Sequence, residues 1–220
     1  MNKPVSYPYY KGSSWSEAWS NANFRRKAFG AAIVFTILML ILPYFFAIIE
    51  ARQGIAFNDW FLQAIPSKDC SITIFVALWS TSLLIILRSI QQPAIFLRVL
   101  YLLISITVIR MVSISLVPLE PPAGLIQLID PLTSITYGNR QLFITKDLFF
   151  SGHTSNIFMF YLCLQKRGDK IFALLGTIIV AILVLVQHVH YSVDVIGAFV
   201  ITFFLVKVVK KLVSYYLPSI

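Results

Sequence analysis

The sequence predicts an all-α, polytopic membrane protein with six transmembrane helices. Three observations carry that reading. The 220 residues are 58% hydrophobic and 12% charged, with a mean hydropathy of +0.81, whereas a soluble domain is about 45–50% apolar and about 25% charged. Six apolar runs approach the roughly 20 residues a bilayer crossing needs. The basic residues behind the net charge of +9 punctuate those runs, as they do in loops between spanning helices. A nucleic-acid partner would need a basic face on a soluble fold, so that class is set aside, and the bilayer is the expected surrounding.

The elements follow in order. Residues 1–28 form a polar, aromatic tail whose Trp15 and Trp19 suit the headgroup level. The first apolar run begins near Phe29 with no small-residue cleavage site behind it, so it reads as a retained helix rather than a signal peptide. The expected spans are 29–49, 72–90, 94–117, 149–165, 171–188 and 191–209, which make 29–209 the membrane domain and 210–220 a second tail. The third contains Arg110, and the fourth opens on polar residues; ionisable and polar groups inside a membrane are functional suspects. The 118–148 connection is long and carries Pro118, Pro121, Pro122 and Pro131 before ending in Lys146-Asp147. Residues 165–170 read as a tight basic loop. Cys70 and Cys163 lie in segments of different depth, with no Cys/His metal spacing, so neither a disulfide, a metal nor any other cofactor is expected.

Orientation follows from the basic residues. One side of a six-span chain holds thirteen Lys and Arg, in the tails, the 90s connection and 165–170. The other side holds Arg52, Lys68, Arg140 and Lys146, and Arg110 lies within a span. The positive-inside rule then predicts both termini in the cytoplasm. Arg110, the polar start of the fourth span and the segment 188–194 all fall at one depth on the opposite side, exoplasmic, periplasmic or lumenal.

Two short segments there carry chemistry. His190 and Asp194 are four residues apart and share a helix face if the sixth span has begun. A carboxylate on one imidazole nitrogen fixes the tautomer and leaves the other lone pair as a nucleophile or base; the alternative is a buried His–Asp strut between helices. The second segment is Asp147-x-x-x-Ser151-Gly152-His153-Thr154. Gly and hydroxyl residues at a helix start expose amides that favour an anion such as phosphate. His153 is placed to act as a general acid there; the alternative is a helix cap with an incidental histidine.

Together these segments resemble a known family. Asp147-Leu148-Phe149-Phe150-Ser151-Gly152-His153-Thr154 resembles the third motif of the sphingomyelin synthases, a family within the PAP2-like lipid phosphatase and phosphotransferase superfamily. His190-Tyr191-Ser192-Val193-Asp194-Val195 resembles the fourth. Arg98, Tyr101, Arg110 and Ser115-Leu116-Val117-Pro118 form a loose version of the second. The resemblance covers about residues 90–200. It implies a PAP2-like six-helix bundle in which His190 takes the phosphoryl headgroup, Asp194 orients it, and His153 is acid and then base, without a metal. The implied partners are a phospholipid donor and a lipid alcohol acceptor of the ceramide or diacylglycerol type.

The sequence departs from the wider superfamily in two places. No Lys-x6-Arg-Pro occurs, and position 184, six residues before His190, is Val rather than Arg. Arg110, Lys146 and His188 are the candidates to replace those cations near phosphate, Arg110 first; its alternative is a pair with Asp194 or Asp147, and that of His188 a loop role. The leading reading is therefore a lipid headgroup phosphotransferase, with lipid phosphate hydrolysis at the same site as its near relative. A transporter using the His/Asp group as a proton relay is disfavoured, because transporter sites lie near the midplane. A non-catalytic scaffold would tolerate loss of His190.

Overall fold

The computed structural model describes residues 14–128 and 144–215, with side chains through residue 211. Pro131 and Arg140, and the outer parts of both tails, lie outside the described residues. Eight helices are described: α1 (Trp15–Ser20), α2 (Ala22–Ala51), α3 (Trp60–Gln63), α4 (Ser71–Gln91), α5 (Pro93–Leu116), α6 (Gly152–Cys163), α7 (Arg167–Val186) and α8 (Ser192–Tyr215). An isolated bridge between Ile55 and Leu119 is the one β pairing among the described residues. The chain is all-α.

Five of these helices, α2, α4, α5, α7 and α8, are long and apolar enough to cross a membrane. The fourth expected span is different. α6 has 12 residues, about 18 Å at 1.5 Å per residue, against a hydrocarbon core of about 30 Å. Its polar opening residues are preceded by non-helical chain from 144, so the helix starts only once Ser151 can cap it.

The chain pass that contains α6, with residues 144–151 before it, nonetheless runs from one end of the bundle to the other. At one end, here the site end, Arg110 of α5 donates to the Phe150 carbonyl at 2.9 Å. There too the Ser151 amide donates to the Asp194 carbonyl at 3.1 Å, and the Cys70 amide before α4 reaches Gln187 after α7 at 3.0 Å. At the far end Arg88, near the close of α4, pairs with Asp169 in the first turn of α7 at 2.6 Å. Lys210 of α8 donates there to the Leu162 carbonyl near the close of α6, at 3.2 Å. The six chain passes therefore alternate in direction, and residues 14 and 211 lie at the same end.

The segment expected as a basic loop is mostly helix, because α7 begins at Arg167 with Lys166 as its cap. The Arg88–Asp169 pair holds that first turn, and the partners are 81 residues apart. α2 likewise begins at Ala22, inside the expected tail, capped by the Asn21 side chain.

Packing concentrates on α6. Ile157, Met159 and Phe160 are buried between two apolar clusters, one joining α4 to α7 and the other joining α5 to α8. Small residues permit close approach, as in membrane helix pairs generally: a Cβ at Gly176 would stand 2.9 Å from the Thr81 hydroxyl oxygen. α2 packs on α5 through Phe24 and Leu97 and leaves most of its length exposed, as suits a helix whose solvent is lipid.

Candidate active site

The site end gathers the starts of α6 and α8 with three connections. Ser151 caps α6, its hydroxyl accepting from the Thr154 amide at 3.4 Å and donating to the Thr154 hydroxyl at 3.1 Å. Ser151, Gly152 and Thr154 are all buried. The amides of Gly152 and His153 belong to the unsatisfied first turn of a helix, the part suited to an anion.

α8 begins at Ser192, so His190 stands just before the helix instead of on its face. Asp194 reaches back over the helix start. Its Oδ2 accepts from the Tyr191 amide at 3.0 Å and contacts His190 Nδ1 at 3.3 Å. This is the N-terminal capping geometry in which a third-position carboxylate satisfies the cap amide. Here the carboxylate holds an imidazole as well. With Nδ1–H donating to Asp194, the Nε2 lone pair of His190 is the available one. Asp194 Oδ1 is buried and accepts from no described residue.

His153 comes to the same place from α6. Its ring centroid lies 6.3 Å from that of His190, at 61° between planes, and Phe75 of α4 forms a wall 6.3 Å away on another side. Neither ring nitrogen of His153 is hydrogen-bonded among the described residues. Two imidazoles about one phosphate's width apart, one oriented by a carboxylate and one free, have the spacing that acid–base work across a phosphoryl group requires.

The cationic candidates are placed less uniformly. Arg110 brings its guanidinium against the start of α6: Nε binds the Phe150 carbonyl and Nη2 the Asp147 carboxylate at 2.5 Å. Its Nη1 lies against Gly152, where a Cβ would collide with the guanidinium. Arg110 thus pairs with Asp147 and still borders the site. Lys146 turns away, with its amine on the Arg52 carbonyl at 2.5 Å and on Glu120 at 3.0 Å. His188 is clasped in the connections, its ring nitrogens 2.8 Å from the Ala123 carbonyl and 2.9 Å from the Ile65 carbonyl. Tyr191 donates its hydroxyl to the Glu120 carbonyl at 3.0 Å and is buried against Phe57.

Three carboxylates missed in the sequence build this end. Asp59 is 4% exposed. It accepts from the Ser192 amide at 2.6 Å and the Ser192 hydroxyl at 2.7 Å with one oxygen, and from the Leu62 amide at 3.1 Å with the other. Burial works to raise its pKa, but the bonds from Ser192 and from the Leu62 and Phe61 amides outweigh it and leave the carboxyl below its ordinary value. Glu50 holds the Thr145 and Lys146 amides at 3.0 and 3.1 Å. Glu120 takes the Lys146 amine and the Gly54 amide, which together hold its carboxyl below the ordinary range. Only Asp59 left a trace in the sequence, as a polar residue just before an apolar turn.

Residues 146–212 match the family model for the PAP2 superfamily C-terminal region. That PAP2 segment, 67 of the 220 residues, contains both histidines, Asp194 and all of α6 and α7. It supports a PAP2-like superfamily assignment and, with it, phosphatase or phosphotransferase chemistry. It does not reach the sphingomyelin synthases specifically. No curated protein and no solved structure matched the chain.

Proposed function

We propose that the chain is a membrane-embedded lipid phosphotransferase that moves a phosphoryl headgroup from a phospholipid to a lipid alcohol through a phosphohistidine. The observation that carries this reading is the pairing of His153 with the Asp194-oriented His190, their centroids 6.3 Å apart. In the first half-reaction His190 Nε2 attacks phosphorus, the P–N bond forms, and the P–O bond to diacylglycerol breaks. His153 gives its proton to the departing alkoxide. In the second, His153 takes the proton of the acceptor hydroxyl. That oxygen attacks phosphorus, and the P–N bond breaks.

The Gly152 and His153 amides and Arg110 Nη1 are the groups offered to the phosphate oxygens. Because Asp147 neutralises Arg110 and Lys146 is turned to Glu120, this reading favours a singly charged phosphodiester over the more highly charged phosphatidic acid. Hydrolysis at the same histidine is the second reading, which the PAP2 match accommodates equally. Transfer requires that water be kept from the intermediate. The charge distribution further supports a site end facing away from the cytoplasm. Cysteine labelling that reaches residues 166–170 only from outside would reverse that orientation.

The test uses the purified full chain in mixed micelles with phospholipids labelled in the headgroup phosphate, with and without ceramide or diacylglycerol. Acid-labile label on the protein, lost in His190→Ala, and a labelled product made from the added alcohol are expected. Faster hydrolysis of phosphatidic acid than of any diester, with no transfer product, replaces the transferase reading by the phosphatase. No headgroup release from either class removes both.

A further inference from the structure

The bundle has a cavity at the far end from the two site histidines. It has a volume of about 530 Å³ and is lined by Trp15, Ser82, Ile86, Ser89, Ile90, Leu103 and Phe160, among others. That size lies within the range of small-molecule sites, about 300–1,000 Å³. α4 and α5 form its walls and Phe160 of α6 its floor. From Ser82 to Ile90 it runs about 12 Å along α4, close to the half-thickness of a hydrocarbon core, about 15 Å. It opens beside Ile86 and Ile90, which are 53% and 62% exposed.

The mouth is built by α1. Trp15 donates its indole N–H to the Ile90 carbonyl at 2.6 Å, which satisfies an acceptor in the last turn of α4. The ring also packs against Phe96 at 5.5 Å and Phe24 at 6.1 Å, so the short helix is fixed across the top of the groove. An indole in this position has its apolar body in the groove and its polar edge at the headgroup level.

The charge of that end of the bundle selects the occupant. Among the described residues the far end carries eleven Lys and Arg, namely residues 25, 26, 27, 88, 98, 166, 167, 170, 207, 210 and 211. Against them stand Glu17 and Asp169, and Asp169 is already paired with Arg88. An apolar slot of half-bilayer length at the basic end of the bundle matches one class of molecule. We propose that this groove is a binding site for an acyl chain of an anionic phospholipid from the leaflet on the α1 side, separate from the lipid handled at His190.

The experiment reconstitutes the full chain into phosphatidylcholine vesicles doped with phosphatidylglycerol or phosphatidylcholine bearing a photoactivatable acyl chain, and maps labelled peptides by mass. The anionic probe should label 82–103 at least about fivefold more than the zwitterionic one, the effect of one basic residue at an anionic surface. Ser89→Phe, which fills the groove, and Trp15→Ala, which removes its roof, should each lose that labelling while labelling of the lipid-facing side of α7 persists. Using two variants guards against a folding defect in either. Equal labelling by the two probes, or unchanged labelling in both variants, would reduce the groove to ordinary bilayer contact. Labelling that appears only after deletion of residues 2–13 would assign the groove to the chain's own tail and overturn the proposal.

Discussion

Gly152→Ala tests how the cation of the site is held. Gly152 opens α6, and a Cβ there would overlap the Arg110 guanidinium. The end of a flexible side chain can move, so the backbone need not shift. The guanidinium is nevertheless fixed by the Phe150 carbonyl at 2.9 Å and the Asp147 carboxylate at 2.5 Å. A hydrogen bond to a charged group contributes about 1.5–3 kcal/mol. If the guanidinium slides and keeps one of its two partners, the loss is one such bond. The pair is partly exposed, with side chains 15% and 27% accessible, and solvent screening reduces the loss to about 1–2 kcal/mol. For a chain of this size that lowers Tm by about 2–8 °C. Thermal unfolding in detergent, followed by circular dichroism, measures it. Gly168→Ala is the control, since a Cβ there meets nothing within 4 Å, and Tm should hold or rise slightly. In an Arg110→Met background Gly152→Ala should cost under about 0.5 kcal/mol, because distant or absent partners no longer couple. An equal Tm loss in both backgrounds would refute the argument that Gly152 is small on account of Arg110.

Three further outcomes are expected. His190→Ala should lower turnover at least about 10³-fold and abolish acid-labile labelling of the protein, as loss of a covalent nucleophile does; wild-type labelling in this variant would remove His190 from that role. Asp194→Asn keeps an oxygen for the Tyr191 amide but removes the charge behind His190, so kcat should fall by about 10²–10⁴ with Tm nearly unchanged. A large Tm drop at unaltered kcat would make the pair a strut. Asp59 is held below its ordinary value of 3.8, so its stabilisation is fully present above that value and is lost as pH falls through the lower folded one. Wild-type Tm should therefore decline as pH drops below about 4, and Asp59→Asn, which has no carboxyl to protonate and one acceptor oxygen in place of two, should decline less over that interval; parallel declines would contradict it.

Much of this was legible because lipid imposes a simple rule. α2, α4, α5, α7 and α8 each carry an apolar run long enough to show without knowledge of their neighbours; α2 starts ahead of its apolar run on the local Asn21 cap, whereas a distant partner decides the start of α7. α7 opens at Arg167 because Asp169 meets Arg88 across the bundle, and no local pattern in 165–170 contains that information. His153, His190 and Asp194 were legible because their residue types are rare inside apolar sequence. The places of Lys146 and His188 were not. Both partners of Lys146, Glu120 and the Arg52 carbonyl, sit in connections far along the chain. His188 adopts a left-handed backbone, φ 56°, between two connections whose carbonyls it contacts. Asp59 escaped notice for the same reason, since its main ligand, Ser192, is 133 residues away.

The shortness of α6 connects these pieces. A helix of 12 residues is about 12 Å shorter than the roughly 20-residue span that its neighbours approach, and the missing length lies at the site end, where residues 144–151 approach α6 without helical bonds. Backbone in such a place must find partners. The structure supplies them from side chains: Glu50 for the amides of 145 and 146, Arg110 for the carbonyl of 150, and Ser113 for the carbonyl of 149 at 2.8 Å. The first turn of α6 is thereby recessed below the end of α5 and level with the first turn of α8, and its free amides and His153 face His190 at that depth. On the proposed reading, the recess admits a lipid phosphate whose acyl chains stay among the helices, and offers no such advantage to a water-soluble phosphate ester. Lengthening α6 at its start would raise those amides out of reach of His190. A substitution of Glu50 by Gln, which keeps the hydrogen-bond acceptor but removes the charge holding two amides and the Thr145 hydroxyl, should loosen the recess and raise KM for lipid more than it lowers kcat.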